Sequence, residues 1–220
     1  MARKRKIADQ LPILLACYVA AGLASFAFDP ATARRFSGYG LDLPPISMLA
    51  LCLLIGAPSL WYLQRAGFVA PLRKKPRATP TLMLSLVFAA VAITVDTLHP
   101  FPADINARFP QSLLFYPAIM LVAETAFHLL PAALVFALTR NPVPTILLAA
   151  LSEPAFQMAA GWTGSADWTQ IVTAINIFGI SLVQLYLLRR HGFALMLGFR
   201  LAYYLWWHIL WGEARLLLLF

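Results

Sequence analysis

Seven runs of roughly twenty apolar residues dominate the chain, at about 9–28, 45–64, 79–97, 111–139, 143–161, 168–188 and 193–213. A helix of about 20 apolar residues spans the roughly 30 Å hydrocarbon core of a bilayer. Of the 220 residues, 61% are hydrophobic and only 12% are charged. A soluble domain of this size could not bury that much apolar surface. The sequence predicts an all-α, polytopic transmembrane helical bundle of about seven spans, as a single integral membrane domain over residues 1–220.

The basic residues are grouped in short blocks beside the apolar runs. With seven spans, twelve of the 17 lysine and arginine residues fall on the side of the N-terminus and four on the opposite side. Such an excess marks the cytoplasmic side of a membrane protein. We therefore expect a bacterial inner-membrane protein with a cytoplasmic N-terminus and the lipid bilayer as its surroundings. Short blocks do not make the basic face that binds nucleic acid, so nucleic acid is not an expected partner.

Two acidic residues, Glu124 and Glu153, lie well inside the apolar runs. A carboxylate at bilayer depth is costly, so it needs either a partner or a function. His128 follows Glu124 by four residues, and Gln157 follows Glu153 by the same interval. Each pair therefore shares one helical face.

The last two runs add further polar stripes. Arg200, Tyr204 and His208 are spaced four residues apart on the seventh run, and Asn176 lies on a softer stripe of the sixth with Thr173, Ser181 and Gln184. Counted at 1.5 Å per residue from the span ends, these groups reach similar depths near the bilayer midplane. We expect them to converge on one cavity, where Arg200 balances the charge of a glutamate.

Two buried carboxylates and two imidazoles suit the activation of water. A carboxylate can take and return a proton, and an imidazole can bind a metal ion or stabilise an oxyanion. The candidate catalytic residues are Glu124, His128, Glu153 and His208, and the candidate supporting residues are Gln157, Asn176, Arg200 and Tyr204. His128, His208 and Glu153 are candidate ligands of a divalent metal such as zinc, although the residues leave open whether a metal is bound.

The order of these motifs resembles the CPBP family of intramembrane proteases, relatives of the CAAX prenyl endopeptidase, over residues 112–212. The stretch AETAFH (123–128) is similar to the family's Glu-Glu-x-x-x-Arg helix, with Glu124 at the second glutamate and Phe127 in the usual aromatic place. NPVPTILLAALSEPAFQ (141–157) is similar to the connection and the Phe-x-x-x-His helix. The 200–208 stripe is similar to the helix that carries His and Asn four residues apart. Residues 1–97 then form additional N-terminal spans.

The chain also departs from the family pattern at each motif. Ala123 stands at the first glutamate and His128 at the arginine, while Glu153 and Gln157 replace Phe and His. The residue four after His208 is Gly212 and not Asn.

The resemblance implies an intramembrane endopeptidase in which Glu124 activates water to hydrolyse a peptide bond of a membrane protein or peptide. Two alternatives stay open. The chain can be a non-catalytic CPBP-like protein that binds another membrane protein, or a haem protein with His128 and His208 as axial ligands. The haem alternative gives neither glutamate a role.

Overall fold

The computed structural model describes residues 10–38, 41–69, 78–160 and 167–220. These ranges are helical and contain no strand. Six helical stretches are long and apolar enough to cross a membrane, namely Pro45–Arg65, Thr79–Leu98, Ser112–Thr139, Pro142–Ala160, Trp168–His191 and Phe193–Leu218. They coincide with the second to seventh predicted spans to within a few residues. The protein is an all-α membrane bundle.

Several of these stretches are interrupted, which gives eleven α-helices in the described ranges: α1 Leu11–Ser25, α2 Pro30–Gly38, α3 Pro45–Arg65, α4 Ala78–Leu98, α5 Ser112–Ala123, α6 Leu130–Thr139, α7 Pro142–Ala150, α8 Ser152–Ala160, α9 Asp167–His191, α10 Phe193–Tyr204 and α11 Trp211–Leu218. Two π-helical segments, Glu124–Leu129 and Leu205–Leu210, join α5 to α6 and α10 to α11. Helix α1 packs on α3 and α5, while α10 packs on α4 and α9.

The first predicted span, 9–28, is shorter in the structure. Helix α1 has 15 residues and ends at Ser25, so it falls below the roughly 20 residues of a full span. Asp29 and Pro30 then start α2, because Asp29 Oδ1 accepts a hydrogen bond from the Thr32 amide at 2.7 Å and proline suits the first helical position. The basic residues at 3–6 and 73–77, on which the predicted orientation largely depends, lie outside the described residues.

Two prolines shape the helices that carry the glutamates. Pro131 has no amide hydrogen to donate to the Phe127 carbonyl, four residues earlier. That carbonyl instead accepts a hydrogen bond from Ser152 Oγ of α8 at 2.6 Å. Pro154 lies in the first turn of α8, just after the helix breaks at Leu151. The freed carbonyl thus fastens the segment of Glu124 to the helix of Glu153.

A buried ion pair, the Asp96–Arg215 clamp, fixes the loop 99–111. Asp96 accepts hydrogen bonds from Arg215 Nε at 2.7 Å, Arg215 Nη2 at 2.8 Å, Trp211 Nε1 at 2.6 Å and the Phe101 amide at 2.8 Å. Arg215 also donates to the carbonyls of Phe101 at 2.6 Å and Pro102 at 3.0 Å. Both charged side chains are fully buried. The clamp holds the loop against α11, beside the cavity described below.

Candidate functional site

Five buried polar side chains form one group, the Glu124–Arg200 cluster: Glu124 and His128 from the first π-helical segment, Glu153 from α8, Gln184 from α9 and Arg200 from α10. Arg200 Nη2 donates to Glu153 Oε1, and Arg200 Nη1 donates to Gln184 Oε1 at 3.3 Å. Gln184 Nε2 donates to Glu124 Oε1, which lies 3.6 Å from Arg200 Nε. One arginine therefore contacts both intramembrane glutamates.

His128 lies between the two glutamates of the cluster. Its Nδ1 is 3.0 Å from Glu124 Oε2, and its Nε2 is 3.8 Å from Glu153 Oε2. These contacts are not aligned as hydrogen bonds: Glu124 Oε2, both His128 nitrogens and Arg200 Nε are buried without a hydrogen-bond partner in the described residues. Buried polar atoms in this state need an explanation, and catalytic groups often tighten their hydrogen bonds only when substrate is bound.

A cavity of about 410 Å³ borders the cluster. Apolar side chains of α3, α4, α5 and α9 and of the loop 99–111 make most of its wall. Its polar members include Glu153, Gln157, Asn176, Arg200, Tyr204 and His208. Glu124 and His128 are not among the lining residues, so the cluster meets the cavity through Glu153 and Arg200.

The predicted supporting residues make separate contacts around the cavity. The ring of Tyr204 lies under the guanidinium of Arg200, with 5.0 Å from Cζ to the ring centroid, which is within the range of a cation–π contact. Asn176 Nδ2 donates to the Phe88 carbonyl at 3.2 Å. Gln157 is half-buried at the cavity wall.

His208 lies at the same cavity but outside the Glu124–Arg200 cluster. Its Nδ1 is 2.7 Å from Asn106 Oδ1 in the loop 99–111. Its ring stacks on Tyr116 with a centroid distance of 4.5 Å and contacts Tyr204 edge-on at 4.8 Å. His208 therefore has different neighbours from His128.

This separation bears on the two candidate cofactors, haem and zinc. Both nitrogens of His128 lie beside glutamates, and His208 Nδ1 lies beside Asn106, so in this structure the two imidazoles are not arranged as an axial pair for haem. No group of three or more His, Cys, Asp or Glu side chains in the described ranges is arranged to hold a metal ion. The predicted set of His128, His208 and Glu153 thus does not fit a zinc site in this structure. The His128 ring lies between two glutamates, whereas the His208 ring lies beside Asn106.

Sequence reasoning did not single out several residues that complete the site. Gln184 was noted only on a polar stripe, as was Ser181, whose Oγ lies 3.5 Å from Glu153 Oε2. Sequence reasoning could not connect Asn106 and Tyr116 with His208, because they lie 102 and 92 residues away from it and no local spacing relates them. Gly212 is the one local signal, since a small residue one turn after His208 leaves room for another segment.

A search for similar proteins found no match among protein-family models, curated proteins or solved structures. The resemblance to the CPBP family therefore stands on the residues quoted above.

Proposed function

We propose that the protein is an intramembrane endopeptidase that hydrolyses a peptide bond of a membrane-embedded protein or peptide. One observation carries the proposal: a buried cluster of two carboxylates, an imidazole and an arginine, with some polar atoms unpaired among the described residues, meets a largely apolar cavity through Glu153 and Arg200. An apolar cavity accepts a membrane segment, and the carboxylates and imidazole supply proton transfer. The order of the CPBP-like motifs supports the same function.

The cavity favours Glu153, more than Glu124, as the group that meets water. In the proposed reaction Glu153 takes a proton from water, and the hydroxide adds to the carbonyl carbon of the substrate. The oxyanion forms beside Arg200, whose positive charge stabilises it. The proton then passes to the nitrogen as the C–N bond breaks, giving a carboxylic acid and an amine. Glu124 lies 3.0 Å from His128 Nδ1, and we propose that the two tighten into a hydrogen bond that orients this imidazole when substrate is bound.

The test compares membranes that contain the wild type with membranes that contain Glu153→Gln or Glu124→Gln, by mass-spectrometric mapping of new protein termini. The amide keeps the shape of the carboxylate but cannot take the proton, so we expect Glu153→Gln to lose about 10²- to 10⁴-fold in cleavage rate. Both variants should fold.

The matched control is Glu213→Gln, the same chemical change outside the cavity. Glu213 accepts a hydrogen bond from the Phe109 amide at 2.6 Å, which the amide oxygen of Gln can also accept. This variant should cleave like the wild type. Wild-type membranes without new termini, or unchanged termini in Glu153→Gln, would refute the proposal.

The second candidate is a non-catalytic protein that binds another membrane protein through the cavity. It is favoured by the pairing of Arg200 with both glutamates, which gives the buried charges a structural role without any reaction. The two functions separate on one result: if Glu124→Gln and Glu153→Gln keep the full biological effect, binding replaces catalysis.

We also propose that α1 crosses the bilayer despite its 15 residues, so that the N-terminus and the connection after α3 both lie in the cytoplasm, at a bacterial inner membrane. The distribution of lysine and arginine supports this orientation. With Cys17 and Cys52 replaced by alanine, Lys74→Cys should resist an impermeant thiol reagent added to intact cells, whereas Asp104→Cys in the opposite loop should react. The reverse labelling pattern would invert the topology.

A further inference from the structure

The loop 99–111 reaches into the bundle, where the side chain of Asn106 contacts His208. Asn106 is buried with 6% of its surface exposed, and its Oδ1 is 2.7 Å from His208 Nδ1. The Asp96–Arg215 clamp holds this loop at Phe101 and Pro102. The clamp therefore holds the loop in the position from which Asn106 contacts His208.

Gly212 makes room for this contact. A Cβ at residue 212 would lie 3.0 Å from Asn106 Nδ2 and 3.2 Å from Asn106 Cβ and Cγ. These distances are tighter than ordinary van der Waals contacts, so any larger residue pushes Asn106 away from α11. Gly198, on α10 before the same π-helical segment, has nothing within 4 Å of an added Cβ.

The hydrogen bonds around Asn106 fix which group donates to which. The Ala107 amide can only donate, and it donates to the Tyr116 hydroxyl oxygen at 2.9 Å. Tyr116 then gives its own proton to Asn106 Oδ1 at 3.1 Å. With the Asn106 amide oriented as in the structure, Oδ1 faces His208 and Nδ2 lies on the side of Gly212 without a hydrogen-bond partner among the described residues. A carbonyl oxygen only accepts, so in this orientation His208 Nδ1 carries a hydrogen and donates to it.

We infer that Asn106 is a positioning residue that holds His208 in the Nδ1–H tautomer, so that the unprotonated Nε2 is available to a substrate in the cavity. His208 lines the cavity, and its Nε2 has no hydrogen-bond partner in the described part of the chain. The stack on Tyr116 fixes the plane of the ring. The hydrogen bond made by one ring nitrogen determines the state of the other.

The use of this nitrogen in catalysis rests on the proposed function. There, Nε2 accepts a hydrogen bond from the substrate, while Glu153 transfers the proton from water to the leaving amine. The tautomer itself is a property of the free protein and is measured without a substrate.

The experiment is nitrogen NMR of the full chain in detergent or lipid, with ¹⁵N in the histidine rings. The chain has 4 histidines, and the spectrum of His208→Gln assigns the signal of His208. In the wild type we expect Nδ1 protonated and Nε2 unprotonated. A wild-type His208 with its hydrogen on Nε2 overturns the inference.

Three variants test the cause. Asn106→Leu has a similar size but no acceptor, so the Nδ1–H to Nε2–H ratio should fall roughly two- to tenfold, the value of one net hydrogen bond. Gly212→Ala should shift the ratio in the same direction without removing any polar group. Asn106→Asp keeps an oxygen acceptor and should keep Nδ1 protonated.

Gly198→Ala is the matched control for Gly212→Ala and should leave the spectrum of the wild type unchanged. A ratio that stays unchanged in both Asn106→Leu and Gly212→Ala also overturns the inference, and if one variant does not fold the other decides. The inference and the proposed function fail separately: the expected tautomer without peptide cleavage contradicts only the function, and cleavage without the expected tautomer contradicts only the inference.

Discussion

The described part of the chain buries two ionic groups, and they differ in how completely their atoms are paired. In the Asp96–Arg215 clamp, both carboxylate oxygens and all three guanidinium nitrogens make hydrogen bonds of 2.6–3.0 Å. In the Glu124–Arg200 cluster, four buried polar atoms have no hydrogen-bond partner among the residues that the structure describes. A fully satisfied network stabilises one structure, whereas unpaired acid and base atoms are costly unless a substrate or water uses them.

The position of each group matches this difference. The clamp joins the end of α4, the loop 99–111 and α11, and neither Asp96 nor Arg215 lines the cavity. The cluster borders the cavity through Glu153 and Arg200. The clamp, away from the cavity, therefore stabilises the fold. We infer that the cluster, which borders the cavity, takes part in a reaction.

The largest effect on stability should come from the clamp. Arg215→Met leaves Asp96 charged, buried and without its main donor, which should lower the free energy of unfolding by about 3–5 kcal/mol. Chemical unfolding in mixed micelles measures it. Replacing both partners, Asp96→Leu with Arg215→Met, should recover most of the loss because no unpaired charge remains. A single variant as stable as the double variant would contradict the role of the clamp.

A smaller loss is expected in the cluster. Arg200→Met removes the donor to Glu153 and Gln184, but a carboxylate that loses its countercharge can bind a proton and become neutral. We expect a loss of about 1–3 kcal/mol and a lower folded yield. Adding Glu153→Gln should restore part of the stability. If Arg200→Met destabilised the protein as much as Arg215→Met, the two groups would be equally structural.

The next largest loss of stability is expected where α3 packs against Thr125, next to Glu124 in the chain. A Cβ at Gly56 of α3 would lie 2.7 Å from Thr125 Oγ1, which is hydrogen-bonded to the Tyr18 hydroxyl at 2.7 Å. Gly56→Ala should therefore cost about 1–2 kcal/mol by overpacking and disturb the segment of Glu124. Thermal unfolding measures the loss, with Gly198→Ala as the control that meets no neighbour. Equal melting temperatures for the two variants would show that α3 can move aside.

The smallest effect is expected where Pro131 frees the Phe127 carbonyl. Ser152→Ala removes the hydroxyl that lies 2.6 Å from this carbonyl and 2.7 Å from the Ala149 carbonyl. Losing this donor should lower the free energy of unfolding by about 1 kcal/mol. Ser37→Ala is the control, because the Ser37 hydroxyl donates to the Ala33 carbonyl of its own helix. A change in cleavage larger than the change in stability would connect this hydrogen bond to the cluster itself.

Local pattern predicted a large part of the fold. The ends of the second to seventh spans follow from apolar runs, because a helix in a bilayer must match the hydrocarbon thickness. The carbonyl freed at Pro131 follows from the missing amide hydrogen of proline. The pairing of Glu124 with His128 at four residues follows from the helical repeat.

Other features depend on contacts between distant segments. The sequence did not predict α2 or either π-helical segment, and it gave α1 too great a length. In the cluster, Glu153 and Gln184 both meet Arg200, and the three side chains come from three different helices. Whether they meet depends on how each helix is rotated about its axis. Depth estimates fix the level of a side chain but not that rotation.

The sequence by itself determined that this chain is a helical membrane protein and which polar groups lie inside it, because hydrophobic length and helical period are local properties. Only the tertiary structure decided which of those groups meet. It joined Asp96 to Arg215 across 119 residues and Asn106 to His208 across 102. It also separated His208 from His128, because the packing of helices and loops, and not their spacing along the chain, selects the partner of each buried polar atom.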